Sequence, residues 1–330
     1  MTTIQKLLTF GGVKKQSAKG TPAATPAVVG FGISGGQILS TPIESDYEAL
    51  TLSGATTSDR FAPTTNRTKI QPGAAFTTGA RPSSVASFLL AALGTDNTVT
   101  FVHTITPALA LPYWSIMGKY GAAPEVTRLN DAKCDTLKLS VDETSPVGLD
   151  MTWLGTSVTP DFTFTATNDD TIVQPLGPFG GTFQFDLDGT TIATEPISSF
   201  SVEINNNLQP VFLSNSILPD DIIEGNQVIE GVITVKPISL DGWQNLLTGT
   251  AGGTTPRTTP LFGKFQLTIT NGAESIVMTA NRVEFMTDFP SSDPSGGAAE
   301  LDLAYRVVRP TDATAAFTAV VTNLLTGVIT

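Results

Sequence analysis

Cysteine and histidine are almost missing from this chain: Cys134 and His103 stand alone among 330 residues. A single thiol excludes an intrachain disulfide framework, so packing and subunit association must supply the stability. One Cys and one His also exclude the usual structural zinc site within one chain. No apolar run reaches the ~18 residues of a membrane-spanning helix. The opening MTTIQKLLTFGGVKKQ has no long apolar core, which argues against export by a signal peptide. Charge is sparse, at 15% of residues. One sign is absent over a long stretch: no Lys or Arg lies between Lys138 and Lys236, where acids recur from Asp142 to Glu230. Residues 1–138 are, by contrast, net basic. The net charge of −12 is the opposite of what a DNA-gripping protein carries.

What is abundant is Gly (30), Pro (22), Thr and Val, the profile of an all-β protein with many turns. The length suffices for two units, each with its own core. The chain also states one arrangement twice. A helix signal at 81–94 (RPSSVASFLLAALG) returns at 238–249 (ISLDGWQNLLTG). Each follows alternating β sequence, precedes a Gly/Thr-rich loop and leads to two strands joined by a polar turn. Ser83 or Ser84 is the expected cap of the first helix, Val85, Phe88, Leu89, Ala92 and Leu93 its apolar face, and Gly94 its terminator. In the second, Ser239 caps, Leu240, Trp243 and Leu247 point inward, and Gly249 terminates. Strands are expected at Val99–Ile105 and Tyr113–Lys119, with a hairpin of Cys134–Val141 and Gly148–Leu154. A second hairpin is expected in FQFDLDGTTIAT around Asp188-Gly189. Residues 53–73 read as a long loop or open hairpin, and SNSILPDDIIEG (214–225) as a polar loop. GLDMTWLG aligns with ELDLAYRV, KCDTLKLSV with NRVEFMTDF, and GAAF with GVIT. The resulting division is an N-terminal arm (1–29), a first β unit (30–160), a connecting segment (161–194) and a second β unit (195–330).

Catalytic motifs do not accumulate. Gly30, Gly32 and Gly35 match the dinucleotide fingerprint as a string, but a Pro/Ala-rich arm precedes them and strand-like QILSTPI follows, where a helix is needed. Asp186, Asp188 and Gly189 resemble a calcium loop too briefly to hold one and fit a hairpin turn better. His103 lies in VTFVHTI on a strand face with Val99, Phe101 and Ile105, as a half-buried or interface histidine would. Cys134 has no basic pocket to activate it. The pairs Asp169-Asp170 and Asp220-Asp221 sit in loop-like sequence, where solvated carboxylates are ordinary. No catalytic, cofactor or metal residues are assigned.

Several segments resemble the long, two-part major tail tube proteins of siphophages: GVKKQSAKGTPAATP, the helix SVASFLLAALG, the strand–turn–strand KCDTLKLSVDETSPVGLDMTWLG, and SSFSVEINNNLQP opening the second half. The resemblance implies tandem β-sandwich or half-barrel domains with short flanking helices, which complete a β-barrel tube on oligomerisation. It implies a virion structural protein, assembled in the bacterial cytoplasm, without enzymatic activity or cofactor. Its partners would be copies of itself, the tape measure, the tail tip and terminator proteins, and double-stranded DNA in passage through an acidic lumen. Tandem domains would make a ring of three chains with pseudo-sixfold symmetry; a true hexamer is the alternative if the second half is decoration. The loop before the first helix carries Arg60, Arg67 and Lys69, and its counterpart in the second half carries Asp220, Asp221, Glu224 and Glu230. Opposite loops of this kind are expected to meet between subunits or rings. The rival function is a β-sandwich adhesion module of a fibre. A sugar-binding module would expose aromatic platforms, whereas Trp114, Trp153 and Trp243 sit in core-like patterns.

Overall fold

Alternation such as Gly148-Leu-Asp-Met-Thr-Trp-Leu154 sends Leu149, Met151 and Trp153 to a buried face and Asp150 to solvent. That pattern recurs through a computed structural model of the chain. It describes residues 10–23, 28–40, 43–47, 65–120, 125–142, 145–160, 166–169, 182–186, 193–194, 197–235, 248–249, 253–256, 258–260, 262–286 and 301–323.

The first half runs β1 (Phe10–Lys15), β2 (Val28–Gly32), β3 (Gly35–Ser40), a hairpin of β4 (Ile43–Tyr47) and β5 (Thr65–Ile70), then β6 (Gly73–Gly79) and helix α1 (Pro82–Leu93). A hairpin of β7 (Gly94–Val99) and β8 (Val102–Pro107) follows, then β9 (Trp114–Tyr120), β10 (Glu125–Asp142), β11 (Gly148–Leu154) and β12 (Ser157–Pro160). After β13 (Ala166–Asp169), the second half runs β14 (Thr182–Asp186), β15 (Ala193–Thr194), β16 (Ile197–Asn205), a hairpin of β17 (Gln209–Phe212) and β18 (Pro219–Ile223), and β19 (Val228–Val235). It ends with β20 (Phe262–Asn271), β21 (Glu274–Met286), β22 (Leu301–Val307) and β23 (Phe317–Thr322).

The ladders of the first half recur in the second. β1 pairs with β2 and β9, as β14 pairs with β15 and β20. β3 pairs with β6 and β6 with β11, as β16 pairs with β19 and β19 with β22. β10 pairs with β9, β11 and β12, as β21 pairs with β20, β22 and β23. Both of these long strands slip register against the preceding strand, between Leu129 and Ala132 and between Ala280 and Val283. Each half also inserts one hairpin before its sixth-position strand, β4–β5 before β6 and β17–β18 before β19.

The register refines the sequence alignment. Trp153 and Tyr305 are equivalent, as GLDMTWLG and ELDLAYRV predict, and opposite them stand Ala74 and Gly231. GAAF therefore aligns with EGVI, one residue from the alignment made on the glycines. Cys134 faces Trp153 and Phe285 faces Tyr305, so Cys134 corresponds to Phe285 and not to Arg282. Alternation alone cannot distinguish such slips, because any two amphipathic strands match at several offsets.

Between the halves, β10 pairs antiparallel with β16 from Thr136↔Asn205 to Asp142↔Ser199. The result is one continuous run of ladders, β3-β6-β11-β10-β16-β19-β22-β21. Followed from pair to pair the ladders branch at β10 and β21, and none leads back to β3, whose single partner among the described residues is β6. One apolar cluster joins the halves, from Val13 to Val321. Within it Phe88 of α1 meets Phe31 and Phe76, Trp114 meets Trp153 edge-on, and Phe200, Phe265 and Tyr305 form a third aromatic group.

Several expectations change. Helix α1 starts at Pro82, with Arg81 as N-cap and no side-chain cap bond; the Ser84 hydroxyl instead donates back to the Arg81 carbonyl. Proline at the first helical position, with its φ preset for a helix and no N–H to satisfy, marks the start instead. Gly94 ends the helix as expected, at φ 108°. Residues 84–93 are buried all round, not along one face, because strands of both halves enclose the helix. The strand expected at Val99–Ile105 is interrupted by a turn at Thr100-Phe101, with Thr100 at φ 58°; Val99 ends β7 and Val102–Ile105 belong to β8, so Val99 and Phe101 are exposed while His103 and Ile105 are buried. Residues 10–15, which composition places in an arm, form β1, and its Val13 is fully buried. Residues 214–225 include β18, half of a hairpin rather than a loop. The second helix and Trp243 lie outside the described residues, apart from helical Thr248 and Gly249 at φ 79°.

Candidate functional site

The buried face of the continuous sheet leaves its other face open, and the register places most of the charges of that face in one row. Running across the strands, it reads Gly35, Thr77, Asp150, Lys138, Glu203, Glu230, Arg306, Glu284. Each residue stands directly opposite the next, within reach of its neighbour's side chain. Lys138 lies between Asp150 and Glu203, and Arg306 between Glu230 and Glu284. Arg306 bonds the Glu230 carboxylate at 3.2 Å, with both side chains about half exposed, so the pair adds little stability. The neighbouring row is Gly79, Gly148, Ser140, Ser201, Val232, Ala304, Met286, all short except the last. Beyond it lie Asp142, Ser199, Thr234 and Asp302.

The two halves repeat one device on this face. Thr77 Oγ1 donates to Asp150 Oδ1 at 2.5 Å, and Thr234 Oγ1 donates to Asp302 Oδ1 at 2.7 Å. Asp150 and Asp302 are equivalent positions, each on the strand next to its threonine. The face is thus net acidic, with Asp142, Asp150, Glu203, Glu230, Glu284 and Asp302 against Lys138 and Arg306; the other positions of these rows are Ser, Thr, Gly and Ala, with Val232 and Met286 the apolar exceptions. Apart from Glu230, none of these was singled out from sequence. Their signal was a charge at an outward position of an alternating strand, as in SVEIN and LKLSVD.

The acids expected to meet basic loops have partners within the chain. Asp221 and Asp220 take Lys19 at 3.1 and 3.5 Å, and the Tyr113 hydroxyl donates to Asp221 at 3.0 Å. Glu224 takes Lys133 at 2.8 Å and the Leu111 N–H at 2.9 Å, while Lys133 lies 4.4 Å from the centre of the Tyr113 ring. Burial opposes ionisation of Asp221 but is outweighed by hydrogen bonds from the Ile222 N–H, Lys19 and Tyr113, which lower its pKa. Glu224 is lowered in the same way, burial being outweighed chiefly by Lys133 and the Leu111 N–H. This cluster clamps the β17–β18 hairpin to the loop after β1 and to β10.

Arg67 and Lys69 lie on β5, opposite Ser45 and Glu44; Arg60 lies outside the described residues. Lys69 sits over the Phe212 ring, 5.3 Å from its centre, and the Ile70 N–H donates to the Ile217 carbonyl at 2.8 Å. The basic hairpin of the first half and the acidic hairpin of the second therefore adjoin in one chain.

Groups considered for catalysis are otherwise engaged. His103 Nδ1 lies 2.9 Å from Thr98 Oγ1 and 3.2 Å from Asp96 Oδ2, buried in the β7–β8 hairpin. Burial, with the Asp135 charge, pushes the Cys134 thiol well up. Gly30 and Gly32 lie in β2 and Gly35 in β3, with no helix following. Among the described residues no cluster of His, Cys, Asp and Glu forms a metal site, and no helix is long and apolar enough to cross a membrane. Trp114 and Trp153 are buried and offer no sugar platform.

No curated protein matches the sequence. The sequence model of phage tail tube proteins matches residues 8–319, nearly the whole chain. With its all-β architecture and its mostly antiparallel ladders, the chain belongs to the phage tail tube protein family, a structural component of the virion.

Proposed function

We propose that three copies of the chain close into a ring of six equivalent units, that rings stack into the tail tube, and that the open face of the continuous sheet lines the lumen. The carrying observation is the repeat of the ladders, with its twin Thr77–Asp150 and Thr234–Asp302 pairs. Units with the same pairing order and the same outward carboxylate can occupy equivalent places around one axis.

Such a wall suits the passage of DNA. Duplex DNA carries about one negative charge per ~1.7 Å of axis, and a net acidic face repels phosphates within a Debye length of ~8–10 Å. Lys138 and Arg306 each stand between two carboxylates, which compete with phosphate for them. The short Ser, Thr, Gly and Ala side chains offer no stacking platform for bases. Tape measure, tail tip and terminator proteins would complete the tail, assembled in the host cytoplasm. With Asp220, Asp221 and Glu224 engaged within the chain, the basic side of the expected loop contact, Arg60, Arg67 and Lys69, would meet acids of a neighbouring chain or ring. Reversing the charge of Arg60, Arg67 and Lys69 is then expected to impair tube assembly while the monomer stays folded.

Electron microscopy of the purified protein, with averages viewed down the tube axis, tests the arrangement. Hollow rings with threefold symmetry and six inner units support it. Sixfold rings of single chains would keep the tube and discard the tandem reading, and trimeric fibres without a lumen would favour an adhesion module.

A further inference from the structure

Beyond the β10–β16 joint between the halves, the second half also reaches across the first. Its β17–β18 hairpin lies on the outward face of β10 and β11 and buries Lys133 to 4% exposure. The Lys133 ammonium donates to the Ile222 carbonyl and to Glu224, both at 2.8 Å, and Ile222 packs with Leu208 against Leu111 and Leu154. The same place on the second half is open. Glu284 stands opposite Arg306 and Phe285 opposite Tyr305, as Lys133 stands opposite Leu154 and Cys134 opposite Trp153. Glu284 is therefore the counterpart of Lys133, and Arg306 that of Leu154. Phe262, opposite Glu284, corresponds to Tyr113, the ring beneath Lys133. Glu284 and Phe262 are partly exposed, and the Arg306 side chain is 52% exposed.

The charges exchange sign between the two places. On the first half the sheet supplies a cation, Lys133, and the hairpin that crosses it supplies acids, Asp220 and Asp221 on β18 and Glu224 just after it. On the second half the sheet supplies an acid, Glu284, whose facing Arg306 is bonded to Glu230. The hairpin inserted at the matching point of the fold is β4–β5. Its β5, the counterpart of β18, carries Arg67 and Lys69, while Glu44 and Asp46 lie on β4. We propose that the β4–β5 hairpin of a second copy crosses the outward face of the second half at Glu284 and Phe262, as β17–β18 crosses the first at Lys133 and Tyr113. The chain's own β4–β5 hairpin is not the occupant. It springs from β3, seven ladders from β21 and roughly 34 Å away along the sheet at ~4.8 Å per step. There it adjoins β17–β18 through Lys69 and Ile70. Opposite signs at matching places also keep each hairpin to its own site, since Glu284 repels the acids of β18 and Lys133 repels the bases of β5. Glu284 then lies under a hairpin at the margin of the wall, as Lys133 does. The proposal rests on the ring reading above and names a contact between a hairpin and a sheet face.

A carbodiimide, which condenses a carboxylate with an amine in contact, reads the site in wild-type protein. Assembled tubes are expected to yield peptides joined through Glu284 and Lys69, which dispersed chains do not yield. Charge reversal gives a second readout. Glu284→Lys is expected to raise the protein concentration needed for tubes at least about 10-fold, because a like-charge contact recurs at every subunit, while circular dichroism stays that of the folded chain. Adding Arg67→Glu and Lys69→Glu to the same chain should restore tubes. Tubes of the Glu284→Lys protein at the wild-type concentration, or a triple variant that still fails, would overturn the contact. Either result leaves the ring reading standing, because microscopy of wild-type tubes judges it separately. A wild-type chain that forms no rings would overturn both.

Discussion

Asn206 donates its side-chain nitrogen to the carbonyls of Ala92 and Cys134, at 3.0 and 2.9 Å, and its oxygen accepts from Gln227. Gln227 also reaches Ala92 O, at 3.1 Å. A residue of the second half thus satisfies the last turn of a helix in the first, where carbonyls lack helical partners. Asn206 is buried, so Asn206→Ala takes the side-chain bond from the Cys134 carbonyl, leaves Ala92 O to Gln227 alone and is expected to cost about 2–3 kcal/mol, measured by urea denaturation. Gly231 depends on a close approach instead. A Cβ there would fall 1.9 Å from Ser201 O and 2.7 Å from the Tyr305 hydroxyl, which itself donates to Ser201 O. Gly231→Ala is expected to cost about 1–3 kcal/mol or more. Ala already stands at the equivalent position 74, opposite Trp153, whose ring nitrogen makes no such bond. The pairing of Trp153 with Tyr305 was legible in the sequence. The glycine that goes with the tyrosine was not, because its cause lies on the two flanking strands, β16 and β22, which only the fold brings to its sides.

Among the elements, the β17–β18 hairpin is the one most dependent on charge. Asp221 and Glu224 have lowered pKa values, so their ionised forms are favoured by the fold. That stabilisation is complete above the unfolded carboxylate values of about 4 and is lost as pH falls through the lower folded values. Protection of the 209–224 amides is therefore expected to hold from neutral pH down to about 5 and to collapse below about 4, as exchange at stepped pH would record. Uniform protection down to pH 2 would show that packing alone holds the hairpin. Its sequence read as loop because Pro219 and adjacent acids are poor strand formers. In a two-stranded edge element proline is tolerated. Helix α1 was placed correctly by its periodicity and by Gly94. Its cap was not: Arg81 stands at the N-cap without a side-chain bond, and Pro82 opens the helix.

Across the whole molecule, the acidic face shows how far sequence reading extends. The stretch without Lys or Arg between 138 and 236 pointed to an acidic surface, and alternation showed which residues of each strand face outward. The row itself joins positions from 35 to 306 and exists only through the register of seven ladders. Asp150→Lys combined with Asp302→Lys is expected to leave the fold and the tube diameter unchanged, since both sites are exposed. Purified variant tubes should retain duplex DNA at low salt and release it as salt rises, whereas wild-type tubes pass it. Equal retention by both would remove electrostatics from the account of the wall.

Cys134 gives the joint a built-in clock. It is the chain's one thiol, fully buried on β10, next to the carbonyls that Asn206 binds. With its pKa raised by burial, it stays inert until the surrounding structure opens. The rate at which a thiol reagent modifies the natural sequence therefore times the parting of the two halves. Comparing that rate in free chains and in finished tubes would measure how much longer assembly keeps the halves together, with no label introduced.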